Sequence, residues 1–278
     1  MTIAAEYLQM IGEVANRFPV PAVSDIIIPR SLSQEKQADF GLLTLEDGAC
    51  GLFYCMLDTS REDFYEQFDL DRFRGKSPVQ IAQLYAGDSE AGRSIGLAAI
   101  NAITQFVYHA CDYKPDTATD SLGELDLSPG DHLGMVGFFK PLMDRLEGSG
   151  IEITVLEKKT GIQDVPGFAR LSHDPVSLGD CNKVLCTAST LLNNSLPDIL
   201  DNTRAADAMI LIGPTAGCFP DPLFRCGVTA IGGSLIVNPS VARKRLASDQ
   251  GLGDAAEKFL IRRSTYPGFS SIAGTEQD

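Results

Sequence analysis

The chain has no apolar run approaching the about 20 residues needed to cross a bilayer, and its opening MTIAAEYLQMIGEVANRF has no basic stretch ahead of its apolar positions. Neither a membrane span nor a secretion signal is expected, and a cytoplasmic location follows as the working expectation. Basic residues are also scarce. Lys and Arg number 23 against 37 Asp and Glu, a net charge of −14. That field repels nucleic-acid phosphates and anionic membrane surfaces, so neither is expected as a partner. The deficit is uneven: residues 1–125 hold 19 acids against 9 bases, and residues 126–278 hold 18 against 14.

Chemistry-bearing signatures are equally thin. Histidine occurs three times, as His109, His132 and His173. There is no H-E-x-x-H, no G-x4-G-K-[ST] phosphate loop and no G-x-S-x-G nucleophile turn. Seven cysteines are scattered, and the pairs Cys50/Cys55 and Cys181/Cys186 are spaced C-x4-C rather than as the tight C-x2-C of structural zinc sites. Without a secretion signal they read as reduced thiols. Cys55 and Cys186 sit in apolar, strand-like runs, where a thiol packs as a small hydrophobe.

What is present is patterned secondary structure of the α/β class. Residues 3–18 place Ile3, Tyr7, Ile11, Val14 and Phe18 at helical spacing, stopped by Pro19 and Pro21. Val23–Ile28 reads as a short strand. The runs Asp39–Leu45 and Cys50–Leu57 flank Glu46-Asp47-Gly48-Ala49 and read as a hairpin. Asp58–Arg74 reads as a charged connection, and Ser77-Pro78 opens a short helix. The longest helical pattern runs from Glu90 to about Cys111. Its Gly96, Ala98, Ala99 and Ala102 leave room for a close neighbour, and Asn101 is a polar residue in an apolar setting that needs a partner if buried. Lys114–Pro129 lacks periodicity and reads as a linker, placing a domain boundary near residue 125, with units 1–125 and 126–278.

Beyond it strands and helices alternate. His132–Phe139, Pro141–Leu146 and Ile151–Leu156 make a βαβ unit, hence a parallel sheet. Further strands are expected at Asp180–Cys186, Asp207–Ile212 and Ser234–Val237. Residues 240–263 read as a last helical segment and Thr265–Asp278 as a tail. Two of the strands run into small polar residues, Thr187-Ala188-Ser189-Thr190 and Gly213-Pro214-Thr215, and Asn193 with Ser195 opens a helix. The carboxyl ends of parallel strands are where open α/β sheets hold ligands. The first turn, Gly137-Phe138-Phe139, lacks the G-x-G-x-x-G of dinucleotide binders and carries bulk where a pyrophosphate would lie, so NAD is not expected. Glu157 ends the second strand, where a ribose-binding acid would sit. The candidate ligand-binding set is Asn101, Gly137, Phe138, Glu157, Thr187, Ser189, Asn193, Ser195, Gly213, Pro214 and Thr215; no catalytic residue or metal ligand stands out.

Five features, in order, resemble the family named for putative heavy-metal chelation. They are the hairpin Gly41–Leu57, Ile95-Gly96-Leu97-Ala98-Ala99-Ile100-Asn101-Ala102, Val136-Gly137-Phe138-Phe139, Thr187 through Leu196, and Gly213-Pro214-Thr215 with the later Leu223-Phe224 and Gly227-Val228. The chain departs at Ser195, where the family more often has Thr, and at Ala216-Gly217-Cys218. The resemblance implies an N-terminal α+β domain similar to the enolase N-terminal fold, a Rossmann-like parallel-sheet domain, and a ligand crevice between them. It implies a metal ion or metal-bearing small molecule as ligand, in metal homeostasis or metallo-cofactor synthesis. The residues themselves leave open an enzyme acting on a small anionic metabolite, a scaffold whose acidic half docks a basic partner, and a homo-oligomer.

Overall fold

A computed structural model describes residues 1–29, 40–55, 69–117, 123–158 and 165–274. The expected connection at 58–68, residues 118–122 of the expected linker, and the ends of the hairpin at Asp39 and at Met56 and Leu57 lie outside the described residues.

Helix α1 (Ile3–Arg17) starts where the Thr2 hydroxyl accepts the Ala5 amide, and buries Tyr7, Met10, Ile11 and Val14 along one stripe. Strands β1 (Val23–Ile27), β2 (Phe40–Leu45) and β3 (Cys50–Tyr54) form an antiparallel sheet in that order. A short helix, α2 (Pro78–Ala82), leads to α3 (Glu90–Ala110), whose start is capped by Ser89. Helix α3 is buried almost throughout, as expected for a helix that is apolar on nearly every face. Its small residues serve packing against β3. A Cβ on Gly51 would lie 1.9 Å from the Ala98 carbonyl oxygen and 2.7 Å from the Ala102 nitrogen, so only glycine lets the strand lie on the helix backbone.

The second sheet has eight strands among the described residues, with β4 (Asp116–Thr117) at one edge. β5 (His132–Val136), helix α4 (Lys140–Leu146) and β6 (Glu152–Leu156) form the expected βαβ unit, and β7 (Ala169–Ser172) follows. β8 (Lys183–Thr187), α5 (Leu196–Asn202), β9 (Ala208–Ile212), α6 (Asp221–Arg225), β10 (Ala230–Ile236), α7 (Pro239–Ala247), β11 (Ala256–Arg262) and α8 (Phe269–Ile272) complete the chain. The order is β4-β11-β10-β9-β8-β5-β6-β7, parallel from β10 through β7 and antiparallel at β10/β11 and β11/β4. The fold class is therefore α/β, a small antiparallel unit beside a mostly parallel Rossmann-like sheet.

Four expectations change here: the expected tail holds α8 with Phe269 buried, the expected linker holds β4 paired to β11, and two more concern the last strands. Residues 240–263 are not one helix: α7 ends at Ala247 and β11 follows. The expected strand Ser234–Val237 begins earlier, at Ala230, and its two glycines explain both errors. Gly232-Gly233 weakens a strand reading by propensity, yet a Cβ on Gly233 would stand 2.6 Å from the Phe259 ring of β11, so the glycine exists to admit that ring. Tertiary packing overrides local preference.

One hydrophobic core joins the two sheets. It holds Tyr7, Phe53, Ile95 and Ile103 from the first unit with Val184, Cys186, Phe219 and Ile231 from the second. Polar side chains cross it. Asn101 Nδ2 donates to the Thr215 carbonyl at 2.9 Å and to the Leu52 carbonyl at 3.0 Å. Gln105 Nε2 donates to the Ile236 carbonyl at 2.7 Å, while its Oε1 accepts the Cys50 amide at 2.7 Å. Arg93 donates to the Leu192 carbonyl, Tyr85 to that of Leu191 and Tyr7 to that of Phe219. Apart from Leu52 in β3, the accepting carbonyls belong to the loops after β8 and β9 and to the end of β10.

Replacing Gln105 with Ala strands two buried backbone groups and is expected to lower unfolding stability by about 1–3 kcal/mol for each group left unpaired. Ser94, wholly buried, has a hydroxyl with no hydrogen-bond partner, so Ser94→Ala is expected to leave stability unchanged or raise it. Urea unfolding of the two variants beside the parent checks the contrast, and equal losses in both would refute it.

Candidate functional site

Strands β5, β6 and β7 progress toward one edge of the large sheet, and β8, β9 and β10 toward the other. The order reverses between β5 and β8, which pair directly from Leu133/Lys183 to Val136/Cys186. At such a reversal the loops leaving neighbouring strands diverge to opposite faces, and a crevice opens at the carboxyl ends. The loops leaving these strand ends carry Gly137 and Phe138 after β5, Glu157 after β6, Thr187 and Ser189 after β8, and Gly213 and Pro214 after β9, all half-buried.

The tips lie against one another closely. Gly137 has φ of 86°, and a Cβ there would meet the Thr187 methyl at 3.1 Å; a Cβ on Gly213 would meet that of Ala188 at 2.9 Å. Both glycines thus admit the neighbouring loop. The Phe138 amide donates to a Glu157 carboxylate oxygen at 3.1 Å. Thr187 Oγ1 donates to Ser189 Oγ at 3.2 Å and accepts the Ser189 amide. Asn193 Oδ1 accepts both the amide and, at 2.6 Å, the hydroxyl of Ser195, a local turn ahead of α5.

Asn101 and Thr215 meet elsewhere, under α3, each 2% exposed. Asn101 bonds the Thr215 backbone rather than its side chain. The loop holding Asn193 is touched by Arg93, eight residues and about 12 Å up the helix from Asn101. The structure thus brings Asn101 to Thr215, and Gly137, Phe138, Glu157, Thr187, Ser189, Gly213 and Pro214 to the strand tips, but sets Asn193 and Ser195 to one side. Arg93 and Gln105, which reach the large sheet from the same helix as Asn101, are not among the expected residues. Their spacing of eight and four residues on one helix was a readable sign that three polar groups share a face.

Residues 120–263, just over half of the chain, match the model of the family described as "Putative heavy-metal chelation" (DUF364). The chain belongs to this family. It is 29% identical over 147 residues to an uncharacterized protein of Methanocaldococcus jannaschii, a match covering 52% of this chain and 55% of that one. The chain therefore spans about half the length of that curated relative. Two solved DUF364 structures, both of unknown function, share the fold. That from Desulfitobacterium hafniense has a TM-score of 0.73 at 20% identity, with 93% of this chain and all of that one covered. That from Pyrococcus horikoshii has a TM-score of 0.71 at 18% identity, covering 94% and 100%.

The family description names a heavy metal, so the donors can be tested against one. Among the described residues, no three His, Cys, Asp or Glu side chains converge to hold an ion. Soft metals need thiolates, and here burial pushes the thiols of Cys50 and Cys186 up to about 12 and those of Cys181 and Cys218 up to about 11. His132 bonds Thr154 at the amino end of β5, the far edge of the sheet from the crevice. His173 bonds the Glu157 carbonyl through its ring nitrogen. The described side chains of this DUF364 member do not fit a thiolate cage for a bare soft ion.

A thiol whose folded pKa is raised stays protonated in the fold while its unfolded counterpart ionises. Its stabilising contribution is present below about pH 9, the usual thiol value, and is lost as pH climbs toward 11–12. Alkylation by iodoacetamide at pH 8 is expected to label the partly exposed Cys111 and Cys226 first and to reach Cys50, Cys186 and Cys218 only in denaturant. Rapid native labelling of Cys186 would contradict this.

Proposed function

We propose that the chain binds a small polar molecule, able to carry a metal ion, in the crevice at the carboxyl ends of β5 and β8. Its work then lies in metal handling or in making a metal-bearing cofactor. The observation that carries this reading is the order reversal between β5 and β8, bordered by half-buried hydroxyls and a carboxylate. The donors there are oxygens, from Thr187, Ser189 and Glu157. Such groups hydrogen-bond an organic ligand and suit a metal already held by that ligand better than a free soft ion. The family description supports the metal, and the protonated thiols favour its arrival inside a complex. The space beneath α3 is a poorer candidate, since Asn101 and Thr215 there are sealed from solvent and Asn101 Nδ2 is taken by the Thr215 and Leu52 carbonyls.

Native mass spectrometry of the purified protein, with elemental analysis of the same sample, tests the proposal. An organic adduct is expected, with any metal appearing in proportion to it. Both should be lost from a Thr187→Val, Ser189→Ala variant whose unfolding midpoint is unchanged. Stoichiometric metal without an organic mass, retained by that variant, would refute it.

A further inference from the structure

The end of β6 brings a carboxylate onto the backbone of the first turn. In parallel α/β sheets the first turn beyond the strand beside the reversal commonly presents free backbone amides to a ligand's anionic group. In this chain the corresponding amide, that of Phe138, is taken by Glu157 from the end of β6. The turn has little freedom to swing the amide elsewhere, because Gly137 is held in the left-handed region with the Thr187 methyl packed against it. Phe138 and Phe139 pack against a buried apolar cluster that includes Met135, Met143, Leu146 and Ile153. A phosphate reaching the Phe138 amide would have to displace Glu157 and then lie beside its charge.

We propose that Glu157 sets the charge selectivity of the crevice. Seated on the Phe138 amide, its carboxylate turns away phosphate esters, dinucleotides among them, and leaves the site to neutral or cationic small molecules and metal complexes. This rests on the reading that the crevice is the ligand site, and it adds which class of ligand enters. The chain's charge of −14 acts in the same direction at long range, and Glu157 acts at the contact. A carboxylate that merely stiffens a turn would influence stability and leave ligand charge preference alone.

Calorimetric titration of the full chain with inorganic pyrophosphate and with NADH separates the two roles. The parent is expected to bind neither at millimolar concentration. Glu157→Gln keeps an acceptor for the Phe138 amide but removes the charge, and Glu157→Ala removes both. Pyrophosphate affinity should therefore rise in the order parent, Gln variant, Ala variant, by at least tenfold across the series. Equal affinity in all three, or micromolar binding by the parent, overturns the proposal while leaving the crevice as a ligand site intact. Should Glu157→Ala fail to fold, the parent and Gln comparison decides alone. Adding Thr187→Val to Glu157→Ala locates the gain: lost binding places it in the crevice, and retained binding overturns both readings.

Discussion

The structure depends on what α3 does with its buried polar side chains. A helix buried among β2, β3, α1, α2 and the loops of the large sheet could bury hydrocarbon alone, and such a contact would be strong but indifferent to register. Here Arg93, Asn101 and Gln105 reach carbonyls of the loop after β8, the loop after β9 and the end of β10. Each of those carbonyls is buried and would be costly to leave unpaired. Tyr7 and Tyr85 add two more such bonds. The small antiparallel unit is thereby fixed in one position across half of the large sheet's carboxyl edge. Gln105 also takes the Cys50 amide, so one side chain ties both sheets to the helix.

This arrangement divides the carboxyl edge in two. Over the tips of β8 to β10, α3 and its partners fill the space and leave Thr215 and Asn101 sealed. Over β5, β6 and the near side of β8 the tips stay half-exposed, and the order reversal falls there. The polar groups of the exposed part are oxygens held in defined positions by each other: Glu157 by the Phe138 amide, and Thr187 and Ser189 by a shared bond. Five of the seven thiols, the usual donors for soft metals, lie in the buried interior, and burial suppresses the ionisation of Cys186 and Cys218. Among the described residues these thiols do not form a cage for a soft metal.

Much of this was legible in the residues. The alternation of strand and helix after residue 130 predicted the parallel sheet, because buried parallel strands show as short β-branched runs. The stripe of α1 and the apolar length of α3 marked both helices. The final strand was illegible because Glu257 and Lys258 interrupt its apolar run and its partner is glycine-rich, so pairing, not propensity, makes it. At the site, glycine and small hydroxyl residues pointed correctly to the strand tips, since those types gather wherever backbones crowd. They could not say that the crowding partner is the neighbouring loop. Asn101 stood out as a polar residue in an apolar helix, but its partner, a carbonyl 114 residues away, is a property of the fold.

The central claim is that α3 welds the two sheets into one unit through these buried bonds. Differential scanning calorimetry of the intact chain tests it most directly. The account predicts one transition whose van't Hoff enthalpy equals its calorimetric enthalpy. Two resolved transitions, or a calorimetric enthalpy well above the van't Hoff value, would show that the sheets unfold separately and contradict it.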